Sequence, residues 1–347
     1  MQFDRERKIE PTWAKLGGRL LNIFYEEPDG DRWIPFDRYP RRVVRRAVRG
    51  KQTPGGMQRY FLNLRDGLER TKVPFRTNAF HHIKSHPEAI AGIIGKGHML
   101  RRYDWRNPIM FGPAVFSHPI DDLAVFNDAP IKMILVSCEW MKKMYAEHVD
   151  VPIGVWAAGI DTYTWVPAPR EQKSIDVLVY DKIRWERGKY EPELIAPILS
   201  CLHRCGLRHQ VVRYGFYRDE EYLQLLRNCR CMIFLVEHET QGFAYLQALS
   251  SGVPILAWDR GGAWKDPAYF PDKVVFEPVT SVPYWDERCG RRFCDIDDFG
   301  ANWQAFWDGV QTGDFKPRDY VLGNLTLEKG AQQYLRFAEK LGNVTQS

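Results

Sequence analysis

Two carboxylates and a glycine-containing loop lie together in the segment 237–262. Glu237 and Glu239 follow an apolar run at 231–236, and the loop 240–242 precedes a helical pattern. Carboxylates form strong, directional hydrogen bonds with hydroxyl groups, and the N–H groups at the start of a helix attract anions. This arrangement favours a ligand that carries both hydroxyl and phosphate groups.

Basic and glycine residues elsewhere in the chain could complete a phosphate site. Lys182 and Arg187 stand five positions apart, directly after an apolar run. The pair Gly55-Gly56 precedes an amphipathic pattern and therefore predicts a loop that opens a helix. Both features also have a purely structural interpretation, because Gly-Gly pairs are common in turns and basic residues usually lie on solvated surfaces.

Histidines offer a further kind of chemistry. His118 follows the apolar run 108–116, where it could face a ligand or be a satisfied histidine at a strand end. His238 lies between the two carboxylates, where it could contact a ligand or support a residue that does.

Strands that alternate with helices position these residues. Short apolar runs predict strands, and apolar residues three and four positions apart predict helices. The strands are expected at 20–25, 131–137, 151–156, 175–180, 210–214, 231–236 and 253–258, with further apolar runs at 89–94 and 108–116. The helices are expected at 57–68, 138–148, 192–205, 220–228, 243–249 and 327–341. Such alternation is typical of parallel βαβ units, so the predicted fold class is α/β with doubly wound sheets.

Composition limits the class of protein. At 347 residues the chain exceeds what one core usually supports, so two domains are expected. The net charge of +5 is compatible with anionic ligands but too small to indicate nucleic-acid binding. The N-terminus has no apolar segment behind its charges, and the sequence has no apolar run long enough to span a membrane. Seven cysteines, an odd number, favour free thiols. We therefore expect a cytoplasmic protein with no nucleic-acid partner and no structural metal.

Three separated motifs resemble those of retaining GT-B glycosyltransferases of family 4, the group that includes sucrose and mannosyl transferases. The first is Glu239 followed eight positions later by Gln247 and then by the Gly-Val-Pro at 252–254. The second is the segment 181–188, which is similar to the family's Gly-Arg and Lys-Gly pairs with Lys and Arg exchanged. The third is the segment 158–167, which is similar to the end of the family's first domain.

The resemblance implies a GT-B fold, in which two Rossmann-like domains face each other across a cleft. It implies an acceptor-side domain at 1–165, a donor-binding domain at 166–325 and a helical tail at 326–347 that packs across both. The implied activity is transfer of a sugar from a nucleotide diphosphate donor to an acceptor hydroxyl, with retention of configuration. That mechanism requires no cofactor, no metal ion and no protein nucleophile.

The resemblance also assigns roles to individual residues. Lys182 and Arg187 would neutralise the diphosphate as the glycosidic bond breaks, and Glu239 would hold hydroxyls of the transferred sugar. His118 would lie beside that sugar. The remaining donor contacts would come from Gly55, Gly56, Gly215, Phe216, Gly242, Phe243 and Gln247.

Position 247 departs from the family, which has Glu there. A glutamine keeps an acceptor and adds a donor, so it could still hydrogen-bond a ribose. It could not act as a nucleophile.

Other functions are compatible with the sequence. A GT-B protein can be a nucleotide-sugar epimerase or hydrolase, and a basic surface can serve a non-catalytic polyanion-binding protein. Five arginines lie close together in one short run, Arg41, Arg42, Arg45, Arg46 and Arg49. This run could dock on an anionic membrane surface at the inner face, or form a charged surface helix. The expected partners are a nucleotide sugar, a glycan or lipid-linked acceptor and that membrane surface.

Overall fold

The chain folds into two compact units. The computed structural model describes residues 20–27, 55–113 and 116–344. Unit 1 comprises the described residues up to Ser137, Tyr145–Gly159 and the residues from Leu327 onward, whereas unit 2 comprises Cys138–Met144 and Ile160–Thr326. The arginine run at 41–49 lies outside the described residues.

Unit 1 contains a parallel sheet of six strands within the described residues. The strands are β1 (Leu21–Phe24), β2 (Phe75–Thr77), β3 (Ala91–Ile93), β4 (Ile109–Phe111), β5 (Ile131–Val136) and β6 (Ile153–Val155). Their order across the sheet is β2-β1-β3-β4-β5-β6. The connections carry the helices α1 (Gly56–Arg70), α2 (Phe80–Ser85) and α3 (His98–Arg102). The helix that follows β5, α4 (Glu139–Ala146), belongs to unit 2 as far as Met144. The strand side chains are largely buried, as expected for a sheet covered on both faces.

Unit 2 is built on a second parallel sheet. Its strands are β7 (Ile175–Asp181), β8 (His209–Arg213), β9 (Cys229–Leu235), β10 (Ile255–Trp258) and β11 (Gly290–Phe293), in the order β11-β10-β9-β7-β8. Its helices are α5 (Arg187–Tyr190), which continues through a π-helical turn (Glu191–Ile195) into α6 (Ala196–Arg204), α7 (Asp219–Asn228), α8 (Phe243–Ser250), α9 (Ile296–Thr312) and α10 (Pro317–Asn324). Apolar side chains from β7, β9 and β10 form a core with those of α6 and α9.

The last helix, α11 (Leu327–Val344), belongs to unit 1 and packs on α1. Gly67 of α1 permits this contact, because a Cβ atom there would lie 2.3 Å from the carbonyl oxygen of Leu327. Trp156 Nε1 donates a 2.8 Å hydrogen bond to the carbonyl of Gly330 in α11. Unit 1 therefore includes a segment that follows unit 2 in the sequence.

The predicted fold class is confirmed, since both sheets are parallel and alternate with helices. The segment 167–173, which resembles a linker in sequence, lies inside unit 2. The predicted boundaries after residues 165 and 325 stay predictions beside the observed divisions after Gly159 and Thr326.

Candidate functional site

The carboxyl edge of the unit 2 sheet brings the predicted donor-site motifs to adjacent strands. Lys182 directly follows β7, and the acidic segment 237–239 follows its neighbour β9. The loop 214–217 follows β8, on the other side of β7. In α/β proteins this edge is where ligands bind, because loops and helix N-termini converge there.

Lys182 and Glu239 form an ion pair at this edge. The ammonium group of Lys182 donates to Glu239 Oε1. The two side chains are only 15% and 12% exposed, so the pair is poorly screened by water. Lys182 Nζ also lies 4.6 Å from the centre of the Tyr214 ring, a cation–π distance. Two motifs that are 57 positions apart in sequence thus meet at one point.

Glu237 has a different task from Glu239. Its side chain is buried, and Oε1 accepts hydrogen bonds from the backbone N–H groups of Arg184 (2.8 Å) and Trp185 (2.9 Å). Burial raises the pKa of Glu237, although these N–H donors oppose the rise. Glu237 therefore fastens the loop that joins Lys182 to Arg187. No sequence motif indicates this role for Glu237.

Arg187 is held by two carboxylates. Its guanidinium contacts Asp181 Oδ2 and Glu191 Oε2, each at 2.8 Å. The side chain of Asp181 is only 3% exposed, whereas that of Glu191 is half exposed. Since Asp181 also accepts a 3.1 Å hydrogen bond from the N–H of Ile183, it fixes both ends of the loop. Contact between Arg187 and phosphate stays a prediction.

Helix α8 begins at the predicted glycine. Gly242 adopts a left-handed conformation (φ 69°, ψ 51°) immediately before Phe243. A Cβ atom at position 242 would lie 2.1 Å from the ring of Tyr245, which is fully buried. Gln247 lies one turn further along α8 and is 6% exposed. A ribose contact for Gln247 stays a prediction, as do ligand contacts for Gly242 and Phe243.

His238 is a neutral part of the same edge. Its ring stacks on Trp185, with ring centres 5.1 Å apart, and Trp264 lies edge-on at 6.2 Å. Burial, together with the positive charges of Arg260, Lys182 and Arg184, lowers the pKa of His238 to about 3. The imidazole is therefore uncharged at neutral pH and adds no charge beside the Lys182–Glu239 pair.

The loop after β8 presents an exposed aromatic side chain. Gly215 has φ 86°, and Phe216 is 78% exposed. The Arg213 guanidinium lies 5.5 Å from the centre of the Phe216 ring. The loop is anchored to β7 by a 2.9 Å hydrogen bond from the N–H of Tyr214 to the carbonyl of Asp181. Base recognition by Gly215 and Phe216 stays a prediction.

Part of the chain is similar in sequence to a known protein, which is called the partial relative below. No protein-family model matches the chain. Over 121 residues it is 28% identical to the serotype-specific mannosyltransferase WbdA of Escherichia coli. The match covers 33% of this chain and 14% of WbdA, so the chain spans a small part of that relative.

Solved structures are similar over nearly the whole chain. Sucrose-phosphate synthase from Thermosynechococcus elongatus has a TM-score of 0.51 at 14% identity, and the match covers 97% of this chain and 92% of that one. The N-terminal domain of trehalose-6-phosphate phosphatase from Candida albicans has a TM-score of 0.53 at 11% identity, with coverage of 98% and 99%. The chain has the GT-B fold. At these identities the similarity concerns the fold, and the two units are its two Rossmann-like domains.

In this GT-B protein the predicted ligand-binding residues of unit 1 lie at the start of a helix and in a buried loop. Gly55 and Gly56 are exposed at the start of α1, and a Cβ atom on either would meet nothing within 4 Å. His118 is buried, and its Nδ1 accepts a 3.2 Å hydrogen bond from the N–H of Ile120. Burial lowers the pKa of His118 to about 4, helped by His148, so the ring is neutral at pH 7. With Nδ1 as acceptor, its proton sits on Nε2. Sugar contact by His118 and diphosphate contact by the glycines stay predictions.

The described part of the chain contains neither a metal-binding cluster nor a membrane-spanning helix. Within residues 20–27, 55–113 and 116–344, no group of three His, Cys, Asp or Glu side chains could hold a metal ion. Over the same ranges, no helix has the length and apolar character needed to cross a bilayer.

Proposed function

We propose that this protein is a retaining glycosyltransferase that moves a sugar from a nucleotide diphosphate donor to an acceptor hydroxyl. The observation that carries the proposal is the ion pair between Lys182 and Glu239 at the carboxyl edge of unit 2. It places a cation for phosphate and a carboxylate for sugar hydroxyls side by side. A nucleotide sugar presents these two groups next to each other, on either side of its glycosidic bond.

Lys182 and Arg187 are the proposed diphosphate ligands. When the glycosidic bond breaks, negative charge grows on the departing diphosphate, and fixed cations stabilise that charge. Glu237 and Asp181 hold the backbone of the loop that carries both residues, so the loop is ordered before a ligand binds. The cationic pair thus supplies the charge that a divalent ion supplies in other transferases.

Glu239 is the proposed ligand of the transferred sugar. Its backbone is fixed by a 3.0 Å hydrogen bond from its N–H to the carbonyl of Thr280, which orients the carboxylate. Retention follows the family resemblance. Because position 247 is an amide and not a carboxylate, we assign no nucleophile there, and the departing phosphate oxygen serves as the base for the acceptor.

The donor and acceptor are proposed by class. The partial relative is named as a mannosyltransferase, so nucleoside diphosphate mannoses are the first donors to test. The acceptor is a glycan, a lipid-linked glycan or a small saccharide, and unit 1 is the proposed acceptor-side domain.

A transfer assay tests the proposed function. Purified protein is incubated with a panel of nucleoside diphosphate sugars and saccharide acceptors, and products are identified by mass spectrometry and by proton NMR, which distinguishes epimers. Lys182→Ala and Glu239→Gln are expected to lower the transfer rate roughly 100-fold or more, as loss of an electrostatic contact to the transition state does. Lys273→Ala and Glu277→Gln, which change exposed residues of unit 2 outside the ion pair, are expected to leave the rate unchanged.

The products also separate the alternatives. Acceptor-independent release of free sugar or an epimerised nucleotide sugar would contradict transferase activity and identify a hydrolase or an epimerase. Equal rates for Lys182→Ala and Lys273→Ala would contradict the proposed site.

A further inference from the structure

A cleft opens at the carboxyl edge of the unit 1 sheet. It has a volume of about 510 Å³, and its lining includes Lys96, Arg101, Arg102, Phe116 and Asp122. This volume lies within the range of roughly 300–1,000 Å³ that is typical of small-molecule sites. The lining comes from the segments that follow the neighbouring strands β3 and β4. The cleft therefore occupies the position in unit 1 that ligand sites occupy in α/β sheets.

Predicted unit 1 residues occur near the cleft segments in the chain. Met57, next to the pair Gly55-Gly56, packs on Gly95, which directly precedes Lys96. His118 follows Phe116 by two positions. These predicted residues therefore lie close along the chain to cleft residues or to neighbours of cleft residues, although none of them is part of the lining.

Basic side chains outnumber acidic ones in the lining. Three cations, Lys96, Arg101 and Arg102, face one carboxylate, Asp122. All three cationic residues are exposed, so a ligand can reach them. Lys96 forms no ion pair with any residue in the described ranges, whereas both arginines do.

The arginines are positioned in advance of any ligand. Arg101 donates from Nε to Asp128 at 2.7 Å and contacts Asp122 at 2.6 Å. Arg102 Nη1 contacts Glu26 Oε2 at 2.8 Å. Each guanidinium keeps further N–H donors after these contacts, because it has five in all. Because carboxylates already hold each guanidinium in one position, the arginine loses less rotamer entropy when it binds an anion.

Phe116 and Asp122 make the lining suitable for a sugar. The Phe116 ring packs within 3.6 Å of the Cβ position of Gly97, so one part of the ring is fixed against the cleft wall. An aromatic ring covers the apolar C–H face of a saccharide, and a carboxylate accepts hydrogen bonds from its hydroxyls. A site for inorganic anions alone would need neither feature.

We infer that this cleft binds an anionic saccharide, with a phosphate or carboxylate group held by Lys96, Arg101 and Arg102. Resting on the proposed function, this inference makes the acceptor of the sugar transfer negatively charged. The phosphate or carboxylate group faces the cations, and the sugar ring lies against Phe116.

Calorimetric titration of the full chain tests the inference. The probes are mannose 6-phosphate, glucuronate, neutral mannose and inorganic phosphate. We expect at least one anionic sugar to bind at least about tenfold more tightly than mannose and than inorganic phosphate. Lys96→Ala is expected to weaken that binding about tenfold, the effect of losing one hydrogen bond to a charged group. Lys84→Ala, which removes an exposed cation of α2 outside the cleft lining, is the matched control and is expected to bind normally.

Three results would overturn the inference: mannose binding as tightly as the anionic sugars, inorganic phosphate binding as tightly as they do, or equal affinities for Lys96→Ala and Lys84→Ala. Nucleoside diphosphates titrated into the same samples separate this test from that of the proposed function. If they bind and the anionic sugars do not, the inference fails and the proposed function stands. If only the anionic sugars bind, the proposed function fails, and with it the assignment of the cleft to an acceptor.

Discussion

At the residue scale, the end of β9 shows how two carboxylates two positions apart acquire different tasks. Glu237 is buried and accepts two backbone N–H groups, whereas Glu239 pairs with Lys182. The first interaction fixes a loop, and the second presents charge at the sheet edge. Sequence motifs single out Glu239, because the family spacing begins there. They give no role to Glu237, because its partners are backbone atoms that leave no residue type to recognise.

Replacing Glu237 tests its role as an anchor. Glu237→Leu removes the acceptor of two partly buried N–H groups, which should cost roughly 1–3 kcal/mol of unfolding free energy. Glu237→Gln keeps a side-chain oxygen at the same place and removes a buried charge, so a smaller loss is expected. Denaturant unfolding of both variants measures the difference. Equal losses for Gln and Leu would show that the charge, and not the acceptor, holds the loop.

At the element scale, the start of α8 depends on one glycine. Gly242 combines a left-handed backbone with close contact to the buried ring of Tyr245. Tyr245 cannot easily move away, because its hydroxyl accepts a 3.0 Å hydrogen bond from the N–H of Tyr284. The strand–loop–helix unit of the candidate site thus needs glycine for two separate reasons.

Alanine substitutions separate these two reasons. Gly242→Ala should cost roughly 2–5 kcal/mol, the sum of backbone strain and overpacking. Gly215→Ala is the matched control, since Gly215 also has positive φ but no atom lies within 4 Å of its Cβ position. It should cost only about 1–2 kcal/mol from backbone strain. Unfolding by denaturant measures both values, and equal losses would contradict the steric role of Tyr245.

Most elements with strong apolar patterns could be predicted from the sequence, whereas the weakly patterned strand β11 could not. The predicted strands that became β7 and β9 are confirmed because their buried residues form continuous apolar runs. β11 was not predicted, since its sequence Gly-Arg-Arg-Phe places two exposed arginines in an edge strand. α9 was also missed, although Asp295 caps it by accepting a hydrogen bond from the N–H of Asp298, a signal that the sequence contains.

Only the part of the candidate site that has a local sequence motif was predictable. Lys182 and Glu239 could be chosen from motif spacing, and the structure brings them together. The support of the loop by Glu237, the Tyr214 ring beside Lys182 and the cleft around Lys96 depend on tertiary contacts. Such contacts have no local sequence pattern, so they could not be derived from the chain alone.

At the scale of the whole molecule, the GT-B fold separates two tasks. Unit 2 carries the cation–carboxylate pair proposed for the donor, and unit 1 carries the basic cleft inferred for the acceptor. The chain returns to unit 1 through α11, so unit 1 is complete only when the segment after unit 2 is present. Both units must therefore be tested in the full chain.

Calorimetric titration of UDP, GDP and ADP into the full chain tests the central claim most directly, that the edge of unit 2 binds a nucleotide diphosphate through Lys182. We predict that at least one of the three binds. Lys182→Ala should weaken this binding about tenfold or more, the effect of losing a hydrogen bond to a charged group, whereas Lys273→Ala should not change it. A folded protein that binds none of the three, or equal affinities for the two variants, would contradict the claim.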